Sequence, residues 1–182
     1  AEGKPARAHP ILQAYATTER DAQSVRHLWE IVLDTRACDL GAAPFKVWAD
    51  VEAYIDNTAG SVMQIALLAC DDRDTAPELV AMAARAWGYI GLMRAAAAWQ
   101  AHGRSVLPSK GGTMEEMRAR AKLASGTVRG LAKPHFAAAG FPALGYVALA
   151  PGYLRALDTG RGERPLLVRQ LKLIASAATG RL

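Results

Sequence analysis

Between Asp50 and Cys70 the residues Val51, Ile55, Thr58, Val62, Ile65 and Ala69 recur every three or four positions. That spacing returns side chains to one face of an α-helix at each turn, whereas a strand alternates faces at every residue. Leu28, Ile31, Val32 and Thr35 form an earlier stripe of the same kind, and PILQAYATTERDAQSVRHLWEIVLDTRACDL reads as two helices. Asp50 reads as the N-cap of the helix that follows. Thr75 and Glu78, with Pro77 between them, have the spacing of a capping box, opening a helix from about 76 to 101 that stops at Gly103. A second box, Thr113 with Glu116, opens a helix toward residue 139, where Gly140 suits a stop. FPALGYVALA and PGYLRAL read as short helices, and RPLLVRQLKLIASAAT as a last one ending at Gly180.

Composition agrees. Apolar residues are 51% of the chain but aromatics only 7%, so alanine and leucine, both strong helix formers, carry the apolar content. Residues 1–9 read as a loose entry, and no linker or internal repeat follows. The expectation is an all-α protein, one compact helical bundle of six to eight helices over residues 1–182. The stretch 134–154 is free of Asp, Glu, Lys and Arg, but Pro142, Pro151 and its glycines make it a broken helix pair rather than a membrane span.

A net charge of +5 suits anionic partners such as diphosphates, acidic headgroups or RNA, and specifies none of them. The basic residues do not cluster with aromatics, so nucleic acid is not expected. Two cysteines, Cys38 and Cys70, and four scattered histidines point to neither a disulfide framework nor a zinc site, and a reducing compartment fits. No signal peptide pattern is visible, and because the chain opens on Ala rather than Met, a segment upstream stays open.

Two places invite chemistry. Asp71, Asp72 and Asp74 in DDRD have the charge for a hard cation, but the cluster lies just ahead of a helix and lacks an EF-hand's glycine and glutamate, so capping is expected. Residues 91, 95 and 99 share one helix face, and carboxylates there would be placed to bridge magnesium to a diphosphate. The face instead reads Gly91, Ala95, Trp99, which ligate nothing. Arg94, one step off that face, and Arg104, in the turn GRSVLP, are the candidates for an oxyanion; each alone reads equally as a salt-bridging arginine.

The order ADVEAYIDNTAGSV, then a helix with GLMRA, then GRSVLP, resembles the squalene/phytoene synthase family. That family shows a Y-x-x-x-x-A-G-x-V element, an N-x-x-R-D-x-x-x-D helix and a G-R-x-Y-L-P turn. Tyr54, Ala59, Gly60 and Val62 match the first, Arg94 the arginine of the second, and Gly103, Arg104, Leu107 and Pro108 the third. The family's asparagine falls on Gly91 and its aspartates on Ala95 and Trp99, and its upstream aspartate motif has no counterpart. GYIGLMRA is similar to the branch containing the mitochondrial complex I assembly factor with this domain and its bacterial relatives.

The resemblance implies an isoprenoid-synthase-type helical fold lacking its first helices, with no catalytic residue, no metal and no cofactor. Its cavity would be lined by Tyr54, Gly91, Ala95 and Trp99, with Arg94 and Arg104 toward a diphosphate. It implies work by binding, in assembly of or as part of a respiratory complex, with partner proteins, in the mitochondrial matrix or bacterial cytoplasm. Three readings stay open: that silent binding role, a prenyltransferase that joins two prenyl diphosphates with magnesium, and a lipid- or membrane-surface-binding protein. For the last, Arg169 and Lys172 on the leucine-rich final helix are the candidate contacts, placing the protein peripherally on the inner membrane.

Overall fold

The structure, a computed structural model, describes residues 22–40, 45–132, 138–160 and 162–182, with positions 10 and 13. The loose entry over 1–9 and most of the first expected helix lie outside these. All regular structure among the described residues is helical: α1 (Ala22–Ala37), α2 (Trp48–Ile55), α3 (Ser61–Ala69), α4 (Pro77–Ala101), α5 (Met114–Leu131), α6 (Phe141–Leu144), α7 (Ala150–Thr159) and α8 (Leu166–Thr179). Short 3₁₀ turns at Cys38–Leu40, Ala138–Gly140 and Gly145–Leu149 join some of them, and a π-helical turn, Asp56–Gly60, links α2 to α3.

Local chemistry sets most of the boundaries. Thr113 and Glu116 form the expected capping box, with Glu116 N donating to Thr113 Oγ1 at 3.1 Å and Thr113 N to Glu116 Oε2 at 3.0 Å. Gly103 (φ +68°) and Gly180 (φ +61°) take the left-handed conformation that ends α4 and α8. Asp50 is not the N-cap of α2. Val47 holds that position, and the Asp50 carboxylate, in the first turn, accepts from Lys46 N (2.7 Å) and Val47 N (3.0 Å). These two bonds hold its pKa below the usual carboxylate value.

The box at Thr75 and Glu78 does not form either. Ala76 is the N-cap of α4 and Pro77 begins the helix. Thr75 is drawn backwards instead: its N and Oγ1 donate to Asp72 at 3.0 and 2.9 Å, and Asp74 N donates to the same carboxylate at 3.0 Å. Asp72 thereby ties the turn together from a buried position. α5 ends at Leu131, short of the expected 139. Downstream, the expected broken helix pair is more fragmented, as α6, a 3₁₀ turn and α7.

The core lies around α4, which packs most extensively on α5. Ala83, Ala84 and Ala86 of α4 and Ala121 and Ala124 of α5 are buried, so small side chains let the two axes approach. Val51, Ile55, Met63, Tyr89, Ile90, Met117 and Leu144 complete the centre. Each large apolar side chain removed from water contributes about 1.5–3 kcal/mol.

The π turn rearranges the stripe read from the sequence. Val51, Ile55 and Thr58 are buried, as the 3.6-residue period predicts. The extra residue in a π turn then shifts the phase of everything after it. Of the stripe's later members Ile65 still faces inward, joined by Gly60, Ser61, Met63 and Leu67, while Val62 and Ala69 are exposed.

A cavity closed by an arginine–tyrosine–aspartate cluster

A cavity of about 380 Å³ opens between α1, the α2–α3 bend and α4. Val32 and Arg36 line it from α1, Tyr54, Ile55, Thr58, Ala59 and Val62 from the bend, and Trp87, Gly88, Gly91, Leu92, Ala95 and Trp99 from α4, with Tyr146 beyond them. Tyr54, Gly91, Ala95 and Trp99 therefore share one wall system. At Gly91 a Cβ would meet nothing within 4 Å, so the space beside the helix is open there. At Gly88, one turn earlier, a Cβ would stand 2.4 Å from Cγ2 of Ile55, so glycine is what lets α4 approach the bend.

One end of the cavity is polar. The Tyr54 hydroxyl donates to the Asp39 carboxylate, whose oxygens lie at 3.0 and 3.1 Å, and accepts from Arg36 Nη1 at 2.8 Å. Arg36 also pairs with Asp39 at 2.9 Å. Burial, joined by the Asp39 charge, pushes the Tyr54 pKa up to about 12 against the lowering pull of Arg36 and Arg104, so the phenol keeps the proton it donates. Phe45 and Trp99 pack on the Tyr54 ring, edge to face, with centroids 5.3 and 6.0 Å away. Burial alone raises the Tyr146 pKa to about 12 at the other end, where the Trp87 ring meets it edge-on.

The two arginines read as anion ligands do not line this cavity. Arg104 donates from Nη1 to Asp39 O at 2.6 Å and from Nη2 to Cys38 O at 3.2 Å, and its guanidinium lies 4.2 Å over the Trp99 ring. It satisfies the carbonyls that follow α1, and its side chain is only 14% exposed. Arg94 points the other way, pairing with Glu163 and lying 5.0 Å over the Tyr153 ring. Among the described residues, the cation that reaches the cavity is Arg36, with a side chain 57% exposed. In the sequence its one visible mark is an acid three residues on, at Asp39, which any surface helix end also shows.

Of the final-helix candidates, Arg169 donates from Nη1 to Tyr153 Oη at 2.7 Å and to Glu163 Oε2 at 3.0 Å. Lys172 is exposed on the same helix.

Magnesium bound for diphosphate chemistry wants several oxygen ligands in near-octahedral array. None of the described residues lining the cavity carries a carboxylate. The neighbouring acids are engaged: Asp39 by Tyr54, Arg36 and Arg104, and Asp56 by Arg85, at 2.8 and 3.2 Å. Glu52, farther along α2, takes Arg120 at 2.8 Å, Arg85 at 3.5 Å and the Tyr89 hydroxyl at 3.0 Å. No group of three His, Cys, Asp or Glu among the described residues is arranged to hold a metal ion. The described residues do not fit a magnesium–diphosphate site.

An all-helical frame with a cavity beside its central helix agrees with an isoprenoid-synthase type of fold. The sequence profile of the squalene/phytoene synthase family matches residues 1–111, more than half of the chain, and the chain belongs to that family. The matched part carries α1 to α4 and all of the cavity wall except Tyr146. No curated protein and no solved structure matches the chain.

Proposed function

We propose that this member of the family works by binding rather than by prenyl transfer, in the assembly of, or as part of, a respiratory complex of the complex I type. The observation behind the reading is the chemistry of the cavity wall. Ionising a prenyl diphosphate puts charge on a leaving group that metal and arginine normally stabilise together. Here Gly91, Ala95 and Trp99 stand where the family's asparagine and aspartates fall, and Arg36 is the cation on the wall. The place in respiratory assembly rests on the likeness of GYIGLMRA to the complex I assembly-factor branch, and carries with it protein partners in the mitochondrial matrix or bacterial cytoplasm.

A second reading keeps the cavity as a ligand site. Its tryptophans, tyrosines and aliphatic residues suit a prenyl or acyl chain, with Arg36 and Tyr54 meeting an anionic head. Both readings meet the same first experiment: incubation with farnesyl diphosphate and Mg²⁺, following released pyrophosphate and melting temperature. Binding without release supports the second reading, and neither supports a role carried by the protein surface. Mg²⁺-dependent release would overturn the absence of prenyl transfer. Deleting the gene in its source organism tests the first: complex I activity should fall with prenyl products unchanged, and unaltered complex I would overturn the assembly role.

A further inference from the structure

A second depression, of about 240 Å³, opens on another face, where Arg129, Arg155, Arg164 and Lys172 surround the apolar Leu149 and Val168. Adjoining hollows extend it past Arg181 on one side and Lys122 on the other, with Arg129 lining all three. The acids nearby are already in use. Glu163 takes Arg94 and Arg169, and Asp158 takes Arg118 and Lys122. Arg129, Arg155, Arg164, Lys172 and Arg181 make no ion pair among the described residues, so the groove carries uncompensated positive charge.

Beside it, α8 turns its apolar residues outward. Leu166, Leu167, Leu171 and Ile174 are each more than half exposed, and Ser176 is the one fully buried residue of the helix. Arg164 precedes the helix, Lys172 stands within it and Arg181 follows it, and residues 164–182 contain no acid. No helix among the described residues is long and apolar enough to cross a membrane. Outward leucines bracketed by free cations are the chemistry of a helix that lies in a bilayer's headgroup region.

We propose that α8 and the groove behind it dock this protein on an anionic phospholipid surface. The leucines enter the interface, and headgroup phosphates sit among Arg129, Arg155 and Lys172. This goes beyond the function proposed above and does not depend on whether the cavity binds or turns over a prenyl diphosphate. A protein partner fits less well, since it would have to present an apolar face together with acids matched one by one to these cations. A bilayer supplies apolar depth and a dense layer of phosphate together.

The test is flotation of the full chain with vesicles of phosphatidylcholine alone, or of equal parts phosphatidylcholine and phosphatidylglycerol. The protein should float with the mixed vesicles only, and release as salt rises. Each cation near an anionic surface contributes about fivefold in partitioning, so Arg129→Gln/Arg155→Gln/Lys172→Gln should weaken binding on the order of a hundredfold. Leu167→Ser/Leu171→Ser should weaken it about tenfold or more. Melting temperatures near wild type show that the variants fold; if the triple variant melts early, Lys172→Glu at its exposed position carries the same test. Absence of flotation, equal flotation with phosphatidylcholine alone, or full binding by both variants would overturn the proposal.

Discussion

The guanidinium of Arg104 lies 4.2 Å over the indole of Trp99 while its two Nη atoms hold the carbonyls of Cys38 and Asp39. Trp99 stands where the family's last aspartate falls, so the arginine of the GRSVLP turn meets an aromatic face from that position in place of an acid. The pair fastens the turn that follows α1 to the end of α4.

Arg104→Ala should therefore act on stability. It removes two charge-assisted hydrogen bonds and a cation–π contact, and leaves Asp39 with one arginine fewer, a loss of about 2–4 kcal/mol. Arg104→Lys should recover less than half, because an ammonium lacks the planar fork. Urea denaturation measures both, and a loss under about 0.5 kcal/mol for the alanine variant would contradict this role.

Two glycines one turn apart on α4 should respond with opposite signs. Gly88→Ala drives a methyl into Ile55, whose side chain is itself buried, and should cost about 1–3 kcal/mol. Gly91→Ala places its methyl in open space and should gain about 0.5–1 kcal/mol from reduced backbone entropy in the unfolded chain. Thermal melts of the two variants decide it; shifts in the same direction would refute the geometry.

Ligand binding in the cavity should run through Arg36. Farnesyl diphosphate far above its dissociation constant should raise the melting temperature by roughly 5 °C or more without Mg²⁺. Arg36→Ala should abolish most of that shift, and Arg94→Ala, whose guanidinium faces Glu163, should leave it unchanged. The reverse ranking would place the ligand elsewhere.

The buried phenols predict an alkaline limit. Tyr54 and Tyr146 rise from 10.0 to about 12 on folding, so the folded state holds protons that the unfolded chain releases. Their contribution is fully present below pH 10 and is lost as pH rises from 10 toward about 12. Tyrosinate absorbance should appear late and together with unfolding. A melting temperature that stays flat across that window would count against it.

The cap of α5 offers a local control. Thr113→Ala breaks the capping box and should cost about 1 kcal/mol by chemical denaturation, with no effect at the cavity.

Much of the helical frame was legible because its signals are local. The box at Thr113 and Glu116 and the left-handed glycines at 103 and 180 act within a few residues of where they stand, and the structure keeps them. Asp50 and Thr75 were misread within the same range. Each side chain had a partner behind it as well as one ahead, and composition does not rank them: the Asp50 carboxylate accepts from Lys46 N and Val47 N, and the Thr75 hydroxyl donates back to the Asp72 carboxylate. The stripe from Val51 holds at Ile55, Thr58 and Ile65 and fails at Val62 and Ala69, beyond an inserted π turn that no residue type announces.

The amino-acid sequence by itself determined that this chain is helical, where several of its helices begin and end, and that Gly91, Ala95 and Trp99 stand where the resemblance to the family puts an asparagine and two aspartates. Tertiary structure alone decided which cation faces the cavity. Arg104 reaches Asp39 across 65 residues, Arg94 is drawn to Glu163, and Arg36 is left on the wall. The physical reason is range. Backbone angles and caps are settled by neighbours within about one helical turn, whereas a long cationic side chain goes to whichever carbonyl, carboxylate or ring the packed helices bring within its reach.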